Sequence, residues 1–202
     1  MLEPEELRES LELGELPVEL LPNSNISPGQ NVPVVLNPIT REVKMFRWGL
    51  VPGWAKDPKI GYKMFNARAE TLTEKPSFRK LLPRRRCLIL ADGFYEWKEI
   101  DGKKYPFYFT LIDQKPFTFA GLWDTWQKPE GEVLYSCTLI TTEPNELLSQ
   151  YHNRMPVILG KDQRWQWLED TSMEDLKALL KPFPAEKMSE PIRTAQLQVN
   201  LS

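Results

Sequence analysis

Cysteine is nearly absent from this chain. Of 202 residues only Cys87 and Cys137 carry thiols. They could form one bridge at most, and they lack any zinc-ligand spacing. A disulfide-stapled scaffold and a zinc finger are therefore excluded, and a reduced, cytoplasmic compartment is expected. No apolar run approaches the roughly 20 residues of a membrane helix. The opening MLEPEELRES is acidic and shows no signal-peptide pattern, so secretion is not expected either. The chain contains no Walker loop, dinucleotide fingerprint, HExxH or GxSxG motif, and neither cofactor nor metal is expected. It has no internal repeat, heptad or low-complexity tract. Histidine occurs once, at His152.

What is present is an ordinary globular composition, 41% hydrophobic and 27% charged, long enough for one domain over residues 1–202. The net charge of −2 argues against a strongly nucleic-acid-binding surface. That total hides an asymmetry. Residues 1–20 hold seven Glu and one Arg, whereas residues 61–104 hold eleven Lys or Arg against six Asp or Glu. A basic face on a mildly acidic protein suits either a solvated surface or a domain that steers a phosphate backbone to one side.

Hydrophobic periodicity predicts a helix from Pro4 to Leu13 and strands at Val32–Leu36 and Thr40–Val51, with Lys44, Phe46 and Trp48 on one face. A Pro/Gly loop, VPGWAKDPKIG, follows. NARAET is expected to open a short helix, with Asn66 as N-cap, and KPSFRKLL to form a second. Further strands are predicted at Arg86–Ala91, Gly93–Lys98, Tyr105–Ile112, Phe117–Leu122 and Val133–Thr142, with a turn at Asp101-Gly102. A helix over Glu143–Tyr151, a strand at Met155–Leu159, helices near Gln163–Leu168 and Met173–Leu180, and an extended segment Glu186–Asn200 complete the pattern. Strands in series with short helices between them indicate α+β. The expected architecture is a strongly curved, barrel-like, mostly antiparallel sheet with short peripheral helices.

Several residues could carry chemistry. In DGFYEWK, Glu96 shares a strand face with Phe94, while Tyr95 and Trp97 take the other. Glu96 either meets solvent or sits beside an aromatic in a cleft, where its pKa would rise and suit proton shuttling. His152 lies in YHNRMPV, with Asn153 and Arg154, between an aromatic and an apolar run. Arg68 beside a helix start would grip an anion, or serve only as an ion pair with Glu70. Trp48 and Trp54, around Gly49, Pro52 and Gly53, are either core or a base-stacking platform. Arg84-Arg85-Arg86 reads as a surface cluster, and the two cysteines as inert core thiols.

Taken in order, SNISPGQ, FRWGLVPGWA, FNARAET, CLILADGFYEWK, FAGLWDTW, TLITTEPN and HNRMPV resemble the SOS-response-associated peptidase (SRAP) family of abasic-site processing proteins, over about residues 22–160. The resemblance implies binding of single-stranded DNA, or a single-strand/duplex junction, that holds an abasic site, by a cytoplasmic monomer that joins the nucleoid on damage. It implies that Asn66 positions an N-terminal cysteine exposed by self-removal of the initiator Met. Glu96 then shuttles protons, and His152 stabilises the developing sugar hydroxyl. The cysteine's amine and thiol together close a thiazolidine on the sugar aldehyde. DNA contacts fall to Arg68, Trp48, Trp54, Arg154 and Thr141. Position 2 here is Leu2 and the family's Met-Cys-Gly-Arg stretch is absent. As written, the chain is expected not to form the crosslink, through a late start, a truncation or a true loss. Noncatalytic binding of single-stranded or junction DNA is the alternative.

Overall fold

Five strands close on themselves in the computed structural model, which describes residues 3–194. In chain order the strands are β1 (Asn31–Val35), β2 (Val43–Trp48), β3 (Asn66–Arg68), β4 (Arg86–Ala91), β5 (Phe94–Ile100), β6 (Lys103–Phe109), β7 (Phe117–Gln127), β8 (Val133–Thr142), β9 (Met155–Pro156), β10 (Ile158–Leu159) and β11 (Ile192–Arg193). The ring runs β7-β4-β1-β2-β8 and returns from β8 to β7. Every contact in it is antiparallel except β2 with β8. The expected curved, mostly antiparallel sheet is thus a closed mixed barrel. Where β7 and β8 splay apart, β9 pairs with β8 and β10 with β7. Val157, between them, donates to Ile140 O and accepts from Ala120 N.

The strands feed two apolar clusters, as alternation requires of strands buried on both faces. On β4, Cys87 and Ile89 join Val34, Phe46, Phe119 and Cys137. Leu88 and Leu90 join Val43, Leu122 and Ile140, covered by Leu7, Leu11, Trp167 and Leu176. Those covers come largely from the helices α1 (Pro4–Leu11) and α4 (Met173–Ala178), with α2 (Pro76–Arg79) and α3 (Lys161–Arg164) at the periphery. Cys87 and Cys137, from strands on either side of β7, meet over Gly121, where an added Cβ would lie 2.8 Å from Cys87 Sγ. Both thiols are free and buried, and burial pushes the Cys87 thiol up, so it stays protonated and inert.

Outside the barrel, β5, β6 and β11 form a second sheet. The β5–β6 turn places Asp101 at φ 51 and Gly102 at φ 73, the left-handed pair that a two-residue hairpin needs. Phe94 stacks on Phe109 at 5.3 Å and meets Phe117 and Phe119 edge-on, pinning this hairpin to the barrel. Phe107 and Phe109 of β6 also meet Tyr151, so this hairpin lies against the segment that carries His152.

Three expectations are corrected. Residues 66–68 are a strand, and only a three-residue 3-10 turn, Ala69–Thr71, follows. Parallel pairing of Asn66–Arg68 with Leu139–Thr141 overrides local capping propensity, so Asn66 is no helix cap and no helix start lies beside Arg68. The segment Glu143–Tyr151 forms one 3-10 turn, Leu148–Gln150, rather than a longer helix. Here the Asn145 side chain accepts from Leu148 N and donates to Phe183 O, diverting the backbone into a turn. The triple arginine is not a surface cluster, since only Arg84 is exposed. Arg85 pairs with Asp124 at 2.6 Å, and Arg86 is buried. Of the final extended segment, Ile192–Arg193 pairs with β6, and residues 195–200 lie outside the described residues.

Candidate active site

Glu96 sits mid-strand on β5, on the face that Phe94 anchors to the barrel. Its side chain is only 20% exposed. Burial pushes its carboxyl up to about 7, opposed by the nearby His152 and by the backbone hydrogen bond at Trp97. The cleft environment, and not the solvated one, is the one realised. His152 follows the 3-10 turn, and its Nδ1 lies 3.9 Å from Glu96 Oε2. The two groups come from elements 56 positions apart in sequence and meet only because Tyr151 docks on β6.

The far end of β8 gathers the next residues. Thr141 pairs with Arg68 of β3 on one edge and with Pro156 of β9 on the other. Two strand spacings therefore separate β3 from β9, about 10 Å. Asn66 and Arg68 share the exposed face of β3, while Ala67 between them is buried. Among the described residues neither side chain makes a hydrogen bond or salt bridge, so both are free to meet a ligand. Arg154 is engaged. It grips Glu70 through two bonds of 2.8 and 2.9 Å and donates to Thr141 O at 2.6 Å. That ion pair holds the Glu70 carboxyl below the usual range.

The tryptophans divide. Trp48 is half-buried, donates from Nε1 to Phe65 O at 2.9 Å and meets the Phe65 ring edge-on, so it props the strand bearing Asn66. Trp54 is 62% exposed. Its loop is tied down by Gly53 N donating to Asp124 and by Trp126 Nε1 donating to Ala55 O. Close backbone approach forces glycine at two points here, since a Cβ on Gly49 or on Gly61 would meet the other's carbonyl oxygen at 2.7 Å.

The structure thus brings Glu96 and His152 together directly. It joins Thr141, Arg154 and Arg68 through β8 and sets Asn66 beside Arg68. Trp54 stands on a separate loop. Glu70 as the partner of Arg154 escaped the sequence reading, which paired it locally with Arg68. The alternation of Asn66, Arg68 and Glu70 was the available signal. Among the described residues, no group of three or more His, Cys, Asp or Glu is placed to hold a metal ion.

A carboxyl that titrates near neutrality beside an imidazole can give and take protons at pH 7. It also carries a stability cost. The folded state binds Glu96's proton more tightly than the unfolded chain does, so stability falls as pH rises from about 4.5 to about 7. Glu96→Gln is therefore expected to stabilise the fold at pH 8 by on the order of 2 kcal/mol and to be neutral at pH 4. Urea unfolding at both pH values reads the difference. An equal effect at both would show that the carboxyl is not buried in its charged form.

Comparison with known proteins follows the same lines. The profile of the SOS response associated peptidase (SRAP) family matches residues 1–199. The abasic site processing protein YoqW of Bacillus subtilis (strain 168) is 51% identical over 174 residues, spanning 84% of this chain and 78% of its own length. The abasic site processing protein HMCES of Xenopus tropicalis is 34% identical over 206 residues, spanning 86% of this chain and 62% of its own length. A crystal structure of a protein from Bordetella bronchiseptica superposes with a TM-score of 0.85 at 28% identity, covering 96% of this chain and 97% of that one. No helix among the described residues is long and apolar enough to cross a membrane.

Proposed function

Because the chain belongs to the SRAP family, we propose that it processes abasic sites in single-stranded DNA or at single-strand/duplex junctions. The observation that carries this reading is the Glu96–His152 pair, 3.9 Å apart, with the Glu96 proton poised near neutrality. Opening the abasic sugar requires a proton on the ring oxygen and the loss of one from the anomeric hydroxyl. Imine formation from the aldehyde and an α-amine then expels water and needs the same exchange in turn. Glu96 supplies and takes these protons, and His152 stabilises the sugar hydroxyl that develops. Asn66, on the exposed face of β3, orients the amine. A thiol on the same residue as that amine closes a thiazolidine with high effective molarity. Cys87 and Cys137 are buried side-chain thiols and cannot serve.

Arg68 holds a phosphate, Thr141 and Arg154 form the pocket wall, Trp54 stacks on a base, and Trp48 props the strand of Asn66 and Arg68 through Phe65. The test compares two chains on abasic single-stranded DNA, the sequence as given and one bearing an initiator Met-Cys-Gly-Arg. Salt-dependent, reversible binding is expected from the first, and a denaturation-resistant adduct from the second. Binding by both chains with no adduct from either would favour a noncatalytic DNA-binding role. No binding at low salt would overturn both readings. Arg68→Ala is expected to weaken binding and reduce the slope of log affinity against log salt by about 1. An unchanged slope would remove the phosphate contact.

A further inference from the structure

We infer that Glu70 is a positioning residue: by clamping Arg154 it holds the Arg154 backbone against the His152 ring and keeps that ring beside Glu96. The inference rests on the reading of Glu96 as the proton carrier and His152 as the group that stabilises the sugar hydroxyl, and it adds a residue outside that pair.

His152 lies in a loop, outside any strand or helix, with its side chain 47% exposed. Its polar partners are Glu96 and the backbone of Arg154. Nδ1 lies 3.3 Å from Arg154 N and 3.2 Å from Arg154 O. A neutral ring with a bare Nδ1 accepts from that N–H, and a ring protonated at Nδ1 donates to that carbonyl. The backbone of one residue, through the N–H of one peptide group and the C=O of the next, therefore offers the imidazole a partner in either protonation state, and the ring need not swing to find a new one. That backbone must itself be held in place. Residues 152–154 form no ladder of their own, and the anchor is the Arg154 side chain. Its two terminal nitrogens bond both Glu70 oxygens, and one of them also bonds the Thr141 carbonyl. A two-bond fork between planar groups sets orientation as well as distance. Glu70 enters from the turn after β3, so the clamp spans the end of β8 and ties the His152 loop to the strand of Asn66 and Arg68.

Charged groups near the ring and Tyr151 come from several elements, and Glu190 acts on Tyr151 from the C-terminal segment. Glu96 and Lys98 come from β5, with the Lys98 ammonium 4.7 Å over the Tyr151 ring. Glu70 and Arg68 come from the β3 segment, and Arg154 from the loop itself. The Glu70 side chain is 52% exposed, and an ion pair so exposed contributes little to folding. Its removal should leave the fold and move the ring.

A single histidine makes the test clean, because one imidazole signal in the full chain belongs to one residue. NMR signals of the ring and of the Arg154 amide are followed as the Glu96 carboxyl changes its charge, in the native chain, Glu70→Ala, Glu70→Asp and Arg154→Lys. In the native chain both signals should move as the Glu96 carboxyl, raised by burial to about 7, changes its charge. In Glu70→Ala the ring should stand farther from Glu96, and the response of ring and amide to the Glu96 charge should fall by about half or more. Arg154→Lys, which keeps the charge but loses the fork, should do the same, and adding Glu70→Ala to it should change nothing further. Glu70→Asp should recover part of the coupling. A native-like response to the Glu96 charge in Glu70→Ala, or additive effects in the double variant, would overturn the inference. Should Glu70→Ala fail to fold by circular dichroism, Arg154→Lys decides alone. No DNA enters this experiment, so its failure is distinct from failure of the abasic-site reading, which the adduct assay judges.

Discussion

Glu96→Gln is expected to slow adduct formation at pH 7 by about 100-fold or more, in the chain bearing the N-terminal cysteine, while affinity for abasic single-stranded DNA stays within about twofold. Glutamine matches the shape of glutamate but neither gives nor takes a proton in this pH range. The steps from closed sugar to imine each move a proton, so their rate should track a group that can exist in both forms. Glu96 meets that requirement at neutral pH because burial raises its carboxyl to about 7. An exposed carboxylate near 4.5 would be almost wholly ionised there. The same logic sets the pH profile. The native rate should change most steeply around neutrality, and the residual rate of Glu96→Gln should lose that inflection. Single-turnover gels across pH 5.5–8.5 measure both. A variant rate within threefold of native would remove Glu96 from the chemistry and leave the fold assignment untouched.

Arg86→Met is expected to cost about 3 kcal/mol of unfolding free energy, the largest loss anticipated for any single polar side chain here. Arg86 is 7% exposed. Its Nε donates to Trp167 O at 2.6 Å, one terminal nitrogen to Leu82 O at 2.8 Å and to Pro83 O, and the other to Glu169 O at 2.7 Å. These are carbonyls, and among the described residues no carboxylate pairs with it. Burial lowers its proton affinity, and the Asp170 charge opposes that only in part. Removing both partners of a buried polar contact can be nearly neutral. Here only the donor leaves, and four carbonyls lose their bonds. Each costs roughly 1–3 kcal/mol when unsatisfied, offset by the desolvation that the cation no longer suffers. For a chain of this size the loss lowers Tm by roughly 6–12 °C. Chemical denaturation gives the direct measure, and a change below about 0.5 kcal/mol would show that water replaces the guanidinium at little cost. The bonds also explain why the segment after α3 stays on the barrel, since Arg86 joins β4 to both Leu82–Pro83 and Trp167–Glu169.

The sequence by itself determined most of the strands. The run CLILA bounds β4, because a strand buried on both faces is apolar nearly throughout. Asp101-Gly102 marked the hairpin because only such residues take the left-handed turn at low cost. It also determined which face of β5 Glu96 shares with Phe94, since side chains alternate along any strand. Tertiary structure alone decided the rest. Asn66–Arg68 carries a helix-start signature but is a strand, because hydrogen bonds to β8 outweigh a local cap. Arg86 sits in a string of arginines that looks solvated, yet long-range packing buries it and carbonyls from a distant segment satisfy it. Whether Glu96 met water or a cleft was open in the local sequence, since alternation sets a side but not what covers it. That cover is His152 and the Tyr151 contact, brought from 56 residues away. Local pattern encodes backbone preference and face; desolvation, and with it the proton affinity of Glu96, depends on neighbours that only chain closure supplies.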